Sequence, residues 1–231
     1  MSTQAIQGIV PVVSTPLDEQ GRLDEAGLVR LVEFLTSLPI GGLWVLGTGS
    51  EDMNLTFSQR LVAARVVAEA AKGSAPEVPV IMGAGFFAMQ DSFDFMEKIA
   101  DLDVEGIHVM PYHPLLSLER MEWFYITLAE RCPKPLWMYT SGNWARHFPP
   151  GFMAAMKDTP NIAGVKFSTR IAPDILQVAA LADESFQVIT AVASQTYPCL
   201  CMGSPAHTSS LASCVPEPLI EIHALFTQGR H

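Results

Sequence analysis

Residues 161–170 read NIAGVKFSTR, a stretch whose apolar members make a strand and whose lysine interrupts it. Ile162, Ala163, Val165 and Phe167 are strand-forming or small apolar residues, so Lys166 falls inside a buried strand. Burying an ammonium group without a partner costs several kcal/mol. The lysine therefore needs either a hidden carboxylate, a path to solvent, or a use.

Seven comparable runs surround NIAGVK (161–166): GIVPVV (8–13), GGLWVLG (41–47), VPVIMGAG (78–85), EGIHVMP (105–111), KPLWMY (134–139), FQVITA (186–191) and AHTSSLA (206–212). Segments with helical spacing lie between them. In 24–38, Leu28, Leu31, Val32 and Leu35 share a face; in 58–72, Leu61, Val62, Val66 and Val67 do. Further helices are expected at 91–102, 117–131, 150–158, 173–183, 194–202 and 217–228, with Asp24, Ser58, Ser117 and Pro173 as caps or first-turn residues. Strand–helix alternation implies parallel strands joined by crossover helices. Eight units at roughly 28-residue spacing fit an α/β fold of the closed (β/α)8, or TIM, barrel type. A doubly wound open sheet is the rival, but GTGSED (47–52) and GAGFFA (83–88) each supply only two glycines of the dinucleotide-binding pattern. No linker or low-complexity tract divides the chain, so residues 1–231 are expected to form one domain.

At 49% hydrophobic and 16% charged residues, the composition is that of a globular protein with a rich core. A formal charge of −10 argues against nucleic-acid binding, which wants a basic patch. MSTQAIQGIVPVV carries no basic leader, and no run reaches the 18 or so apolar residues of a membrane span. Cys132, Cys199, Cys201 and Cys214 form no CxxC or zinc spacing. A cytoplasmic protein with no membrane partner is expected.

In such barrels the chemistry stands at the C-terminal ends of the strands. Strand 2 ends in Gly47-Thr48-Gly49-Ser50-Glu51, whose backbone N–H groups are suited to a carboxylate or phosphate. Strand 4 ends in Pro111-Tyr112-His113, strand 5 in Tyr139 and strand 6 in Lys166. Of the five lysines, Lys72, Lys98, Lys134 and Lys157 all have solvent-facing positions; Lys166 does not. Desolvation favours the neutral form of an amine, and a neutral amine can attack a ketone to make a Schiff base. Tyr139, one strand away, offers a phenol for the proton transfers; the competing reading is a core aromatic bonded to backbone.

GTGSE ending strand 2, Pro-Tyr after strand 4, a tyrosine ending strand 5 and GVK ending strand 6 together resemble the dihydrodipicolinate synthase/N-acetylneuraminate lyase family. The opening GIVPVVSTPLDEQGRLDEAGL is similar to the family's start, and Gly203 and Pro216 flank strand 8 as its members do. The resemblance implies a class I, pyruvate-handling aldolase or lyase on a (β/α)8 barrel. Lys166 would form the imine with the 2-oxo acid, Tyr139 would shuttle protons, and Thr48 would hold that tyrosine. Glu51 matches the loop's acidic residue and reads as a structural anchor.

Departures from the pattern locate the rest of the site. Gly49 stands where the family has a second hydroxyl, so carboxylate binding is expected to use backbone N–H groups and Ser50. Tyr112 is followed by His113 instead of a second tyrosine, either a relay group or a loop histidine without a role. The position of the synthases' acceptor-binding arginine falls at Trp144, with Arg146 nearby but out of register. Ser209, ending strand 8, completes the expected substrate-binding set. The chain stops at His231 near the end of helix 8, lacking most of the family's extra C-terminal helical segment, which reads as a minimal barrel or a fragment. A homo-oligomer is left open.

The leading expectation is a Schiff-base aldolase or lyase acting on pyruvate or a related 2-oxo acid, with an aldehyde as second substrate and no cofactor beyond the lysine imine. Alternatives within the resemblance are a 2-oxo sugar acid dehydratase or hydratase-aldolase, or dihydrodipicolinate synthase proper. A non-catalytic keto-acid-binding barrel is the alternative outside it. A metal-dependent aldolase is disfavoured, because His108, His113, His147 and His207 show no ligand spacing.

Overall fold

The structure is a computed structural model describing residues 5–142 and 144–230. Residues 1–4, Asn143 and His231 lie outside the described residues, and with them the start and end of the expected domain.

Eight parallel strands form the interior: β1 (Gly8–Pro11), β2 (Leu43–Val45), β3 (Val80–Gly83), β4 (Gly106–Val109), β5 (Leu136–Ser141), β6 (Ile162–Ser168), β7 (Gln187–Ala191) and β8 (Ala206–Ser209). A helix follows each: α1 (Glu25–Thr36), α2 (Phe57–Ser74), α3 (Met89–Lys98), α4 (Leu118–Arg131), α5 (Pro150–Met156), α6 (Ala172–Ala179), α7 (Thr196–Cys201) and α8 (Glu217–Thr227). Every strand and helix falls on a segment expected from its periodicity. Asp24 and Ser117 cap α1 and α4, while Pro173 lies in the first turn of α6. At α2 the cap is Thr56, whose side chain exchanges hydrogen bonds with Gln59, and Ser58 sits inside the first turn.

Hydrogen-bonded neighbours run β1-β8-β7-β6-β5-β4-β3-β2. The ring is brought round by a parallel bridge between Val12 and Trp44, with Val13 N–H donating to Trp44 O at 2.9 Å and Gly41 N–H to Ile9 O at 2.8 Å. The fold is a (β/α)8 barrel.

Two apolar layers follow from the strand alternation. Outward residues such as Val45, Met82, Val109, Met138, Val165 and Val188 meet the helices. Inward residues including Val10, Trp44, Ile81, Trp137, Tyr139 and Ile189 fill the barrel. The interior is unusually aromatic. Trp44 stacks on His108 with centroids 4.1 Å apart and meets Trp137 and Tyr139 edge-on.

Local chemistry at β6 sets the height of Lys166. Asn161 takes a left-handed conformation (φ 65°) and its amide donates to Ala129 O, Cys132 O and Lys134 O, anchoring the strand's start to the end of α4. Gly164 is then paired with Trp137. A Cβ there would lie 2.8 Å from Trp137 Cζ3 and overlap Gln187 O, so only glycine lets the indole lie across the barrel floor. Gly164→Ala is expected to lower stability by about 1–3 kcal/mol through overpacking. The midpoint of urea unfolding reads that loss, and an unshifted midpoint would contradict the contact.

Candidate active site

Tyr139 and Lys166 are direct partners in the β5–β6 register, so both side chains enter the barrel at one level. Lys166 Nζ donates to Tyr139 Oη at 3.1 Å, and Tyr139 Oη shares a 2.8 Å hydrogen bond with Thr48 Oγ1. Lys166 is 4% exposed. No carboxylate lies within ion-pair distance of it among the described residues. Its nitrogen faces the rings of Tyr139 and Trp44, 4.2 and 5.2 Å from their centroids. Such contacts are worth about 0.5–2 kcal/mol each to a charged amine. The salt-bridge reading of this lysine is thereby set aside.

These three side chains line a cavity of about 310 Å³ at the C-terminal mouth of the barrel, rimmed by Ser141, Ser168, Val192, Thr208, Ser209 and Ser210. Its volume suits a small ligand. Larger depressions, of about 550 and 700 Å³, lie between α1 and α2 and around Pro133–Pro135 with Lys157–Ala163, away from the convergent polar groups. Backbone strain borders the cavity. Leu46 (φ 54°) and Glu51 (φ 56°) bracket the Thr48–Ser50 turn, and Val192 has φ 82°. Non-glycine residues in this region cost about 1–3 kcal/mol each and cluster at functional sites.

The remaining expected residues are placed unevenly. Ser209 lines the cavity, its hydroxyl accepting from Leu211 N–H at 3.0 Å. Gly49 and Ser50 adjoin the cavity without lining it; the Ser50 hydroxyl turns back to accept from Gly47 N–H at 3.3 Å. Tyr112 points behind the loop and donates to Asp52 Oδ2 at 2.7 Å. His113 packs on Phe87, centroids 4.2 Å apart, in a separate surface groove. Trp144 is 50% exposed, its backbone N–H donating to Ser141 O. Arg146 reaches away to Leu116 O.

Several supporting residues escaped the sequence reading. The loop's acidic anchor is Asp52, one residue beyond Glu51. Buried Asp52 pairs with Arg60 at 3.5 Å, and Arg60 also donates to Asp52 O and Gly85 O. Burial raises the Asp52 carboxyl's pKa, opposed by Arg60 and the Tyr112 hydroxyl. Glu51 is exposed and accepts from Asn54. An acid with an arginine eight residues on, across the start of a helix, was the available signal. Tyr125 of α4 is the second omission: its hydroxyl donates to Val109 O at 2.8 Å and accepts from Tyr139 N–H at 3.2 Å. It thereby fixes the backbone beneath the candidate proton shuttle, but its sequence position reads only as helix core.

The chain matches the Dihydrodipicolinate synthetase family over residues 5–231. The protein belongs to that family. A 4-hydroxy-tetrahydrodipicolinate synthase of Salinibacter ruber is 27% identical over 224 residues, 94% of this chain and 72% of that protein. Among solved structures, YagE, a prophage protein of this family from E. coli K12 in complex with pyruvate, superposes with TM-score 0.89 at 21% identity, covering 97% of this chain and 76% of YagE. A 2-keto 3-deoxygluconate aldolase from Picrophilus torridus gives TM-score 0.89 at 20% identity, covering 97% and 80%. The family's members are lyases, and this chain is an enzyme of that class. Among the described residues no group of His, Cys, Asp and Glu is arranged to hold a metal, and no helix is long and apolar enough to cross a membrane.

Two outcomes follow from this geometry. Tyr125→Phe leaves Tyr139 N–H and Val109 O without their partner and is expected to lower stability by about 1–3 kcal/mol; an unchanged urea midpoint would contradict the role. The second concerns the buried histidines. Burial lowers the His108 pKa to about 3, with the Val45 carbonyl opposing and Lys166 reinforcing. Burial likewise lowers the His207 pKa to about 4. The folded protein thus refuses protons that the unfolded chain accepts below its ordinary histidine pKa of about 6.5. The stabilisation is complete above that pKa and lost as pH falls toward the folded values. Between pH ~6 and ~4, each histidine should contribute a loss of about 1.4 kcal/mol per pH unit. Urea midpoints across that range report the slope, and His108→Gln should make it shallower.

Proposed function

We propose that this chain is a Schiff-base-forming class I aldolase or lyase acting on pyruvate or a related 2-oxo acid. The observation carrying this reading is the hydrogen-bonded chain Lys166 Nζ–Tyr139 Oη–Thr48 Oγ1, at 3.1 and 2.8 Å, at the base of a small cavity. The Lys166 amine adds through its lone pair to the ketone carbon, the carbinolamine loses water, and an imine forms. Tyr139 is within reach to protonate the departing hydroxyl and to return protons to the bound substrate. Thr48 orients the phenol. Once protonated, the imine draws in the electron pair of the breaking bond between its neighbouring carbon and the next one, leaving an enamine, and in reverse the enamine supplies that pair.

A second observation bears on the substrate's other end. Ser141 and Ser168 are paired across β5 and β6 and line the cavity one inward-facing step above Tyr139 and Lys166. Both carry hydroxyls. Among the described residues, no arginine, histidine or further lysine lines the cavity, Arg146 being engaged with Leu116 O. Serine hydroxyls both donate and accept, which matches the hydroxyl groups of a sugar chain. This rim supports a 2-oxo sugar acid, for aldol cleavage or dehydration, over the acceptor of dihydrodipicolinate synthase proper.

Borohydride reduction in the presence of pyruvate should add one reduced pyruvyl group to the peptide containing Lys166. Lys166→Arg should abolish it, while Tyr139→Phe should slow turnover about 10²–10⁴-fold. Peptide mapping that finds Lys166 unmodified at saturating pyruvate would sink the reading. Pyruvate binding without imine formation would likewise overturn the Schiff-base mechanism.

A further inference from the structure

Two hydroxyls at the end of β8 occupy the corner of the cavity that the β2 loop leaves unfurnished. The loop has glycine at position 49, and the Ser50 hydroxyl is directed into the loop. A Cβ on Gly49 would overlap the Ser210 hydroxyl and lie 3.0 Å from Val12 Cγ1. Ser210 Oγ therefore fills the volume that a side chain at position 49 would need. Ser210 lines the cavity with Thr48, Tyr139 and Lys166.

Thr208 supplies an independent observation. It pairs with Ala191 on one side and Val10 on the other, in the inward-facing layer above Ala206. The residue is 0% exposed and lines the same cavity, yet its hydroxyl has no hydrogen-bond partner among the described residues. A buried polar group left unpaired costs about 1–3 kcal/mol. It is retained where a ligand completes it.

We propose that the hydroxyls of Thr208 and Ser210, in place of a side chain of the β2 loop, hold the carboxylate of the 2-oxo acid bound at Lys166. The assignment rests on the keto-acid reading of this site. Both groups are O–H donors, and an ionised carboxylate makes the stronger, charge-assisted kind of hydrogen bond with them. Ser210, just past β8, and a hydroxyl on the loop are alternative furnishings of one volume, which makes them exchangeable.

The test compares the wild type with Thr208→Val, Ser210→Gly and the double variant Gly49→Ser/Ser210→Gly. Oxamate, a carboxylate isostere of pyruvate whose amide carbonyl resists imine formation, is titrated by calorimetry. Pyruvate is titrated by borohydride trapping read as intact mass. Each single variant should weaken oxamate and raise the half-saturating pyruvate concentration about tenfold, with the extent of trapping at saturation retained. The double variant should recover most of the loss. Unchanged oxamate and pyruvate constants in both single variants, with native circular dichroism, would overturn the assignment. Ser210→Gly changes an exposed residue and remains informative if Thr208→Val fails to fold. Oxamate binding that weakens in the variants without any pyruvate adduct would support the carboxylate site and remove the imine. An adduct with unaltered half-saturation would do the reverse, and neither binding nor adduct in the wild type would overturn both.

Discussion

The hydrogen bond from the Lys166 amine to the Tyr139 phenol is the constraint to which the rest of the site is fitted. An amine at this depth, without a carboxylate in reach, has to be held by neutral acceptors and ring faces. Such a hold works only if the phenol stays put. Thr48 fixes its oxygen from the β2 loop, and Tyr125 fixes its backbone from α4. Behind the loop, the buried Asp52–Arg60 pair and Tyr112 fasten the turn that carries Thr48. Breaking such a pair by removing one partner typically costs about 3–5 kcal/mol, since the remaining charge is stranded. The polar framework is thus arranged outside the cavity and leaves its interior free for a ligand.

The aromatic floor serves the same end by packing. Trp44, Trp137 and His108 fill the barrel beneath Lys166, and Gly164 opens the space the Trp137 ring needs. A filled floor keeps water from below and limits the cavity to the C-terminal mouth, where the strand ends converge. Preorganised donors in a water-poor site contribute more to charge stabilisation than the same groups in solvent. The strained residues Leu46, Glu51 and Val192 are tolerated in this setting because the packed barrel around them fixes the backbone.

Much of the architecture was legible in one dimension. Eight apolar runs alternating with helical periodicity specify parallel strands with crossovers, and the strand ends specify where chemistry can stand. Lys166 was conspicuous because its neighbours are apolar, and Tyr139 because it ends the adjacent run. At α2 Ser58 lies in the first turn, as its position suggests, and the cap itself is the reciprocal box of Thr56 and Gln59. The anchor role fell on Glu51 by motif, whereas burial selects Asp52; nothing local separates two adjacent acids until the arginine that pairs with one of them is placed.

What the sequence alone determined is the barrel, the level of each strand end and the one lysine without a solvent-facing position. These follow from periodicity and the cost of burying charge, both of which act within a strand or between neighbouring segments. The tertiary structure decided which hydroxyls share the lysine's cavity. Ser50 turns away, Tyr112, His113 and Trp144 lie elsewhere, and Thr208 and Ser210 arrive from the far end of the chain. The reason is that closing the barrel brings β8 against β1 and the β2 loop, a contact spanning about the whole chain that no local pattern encodes.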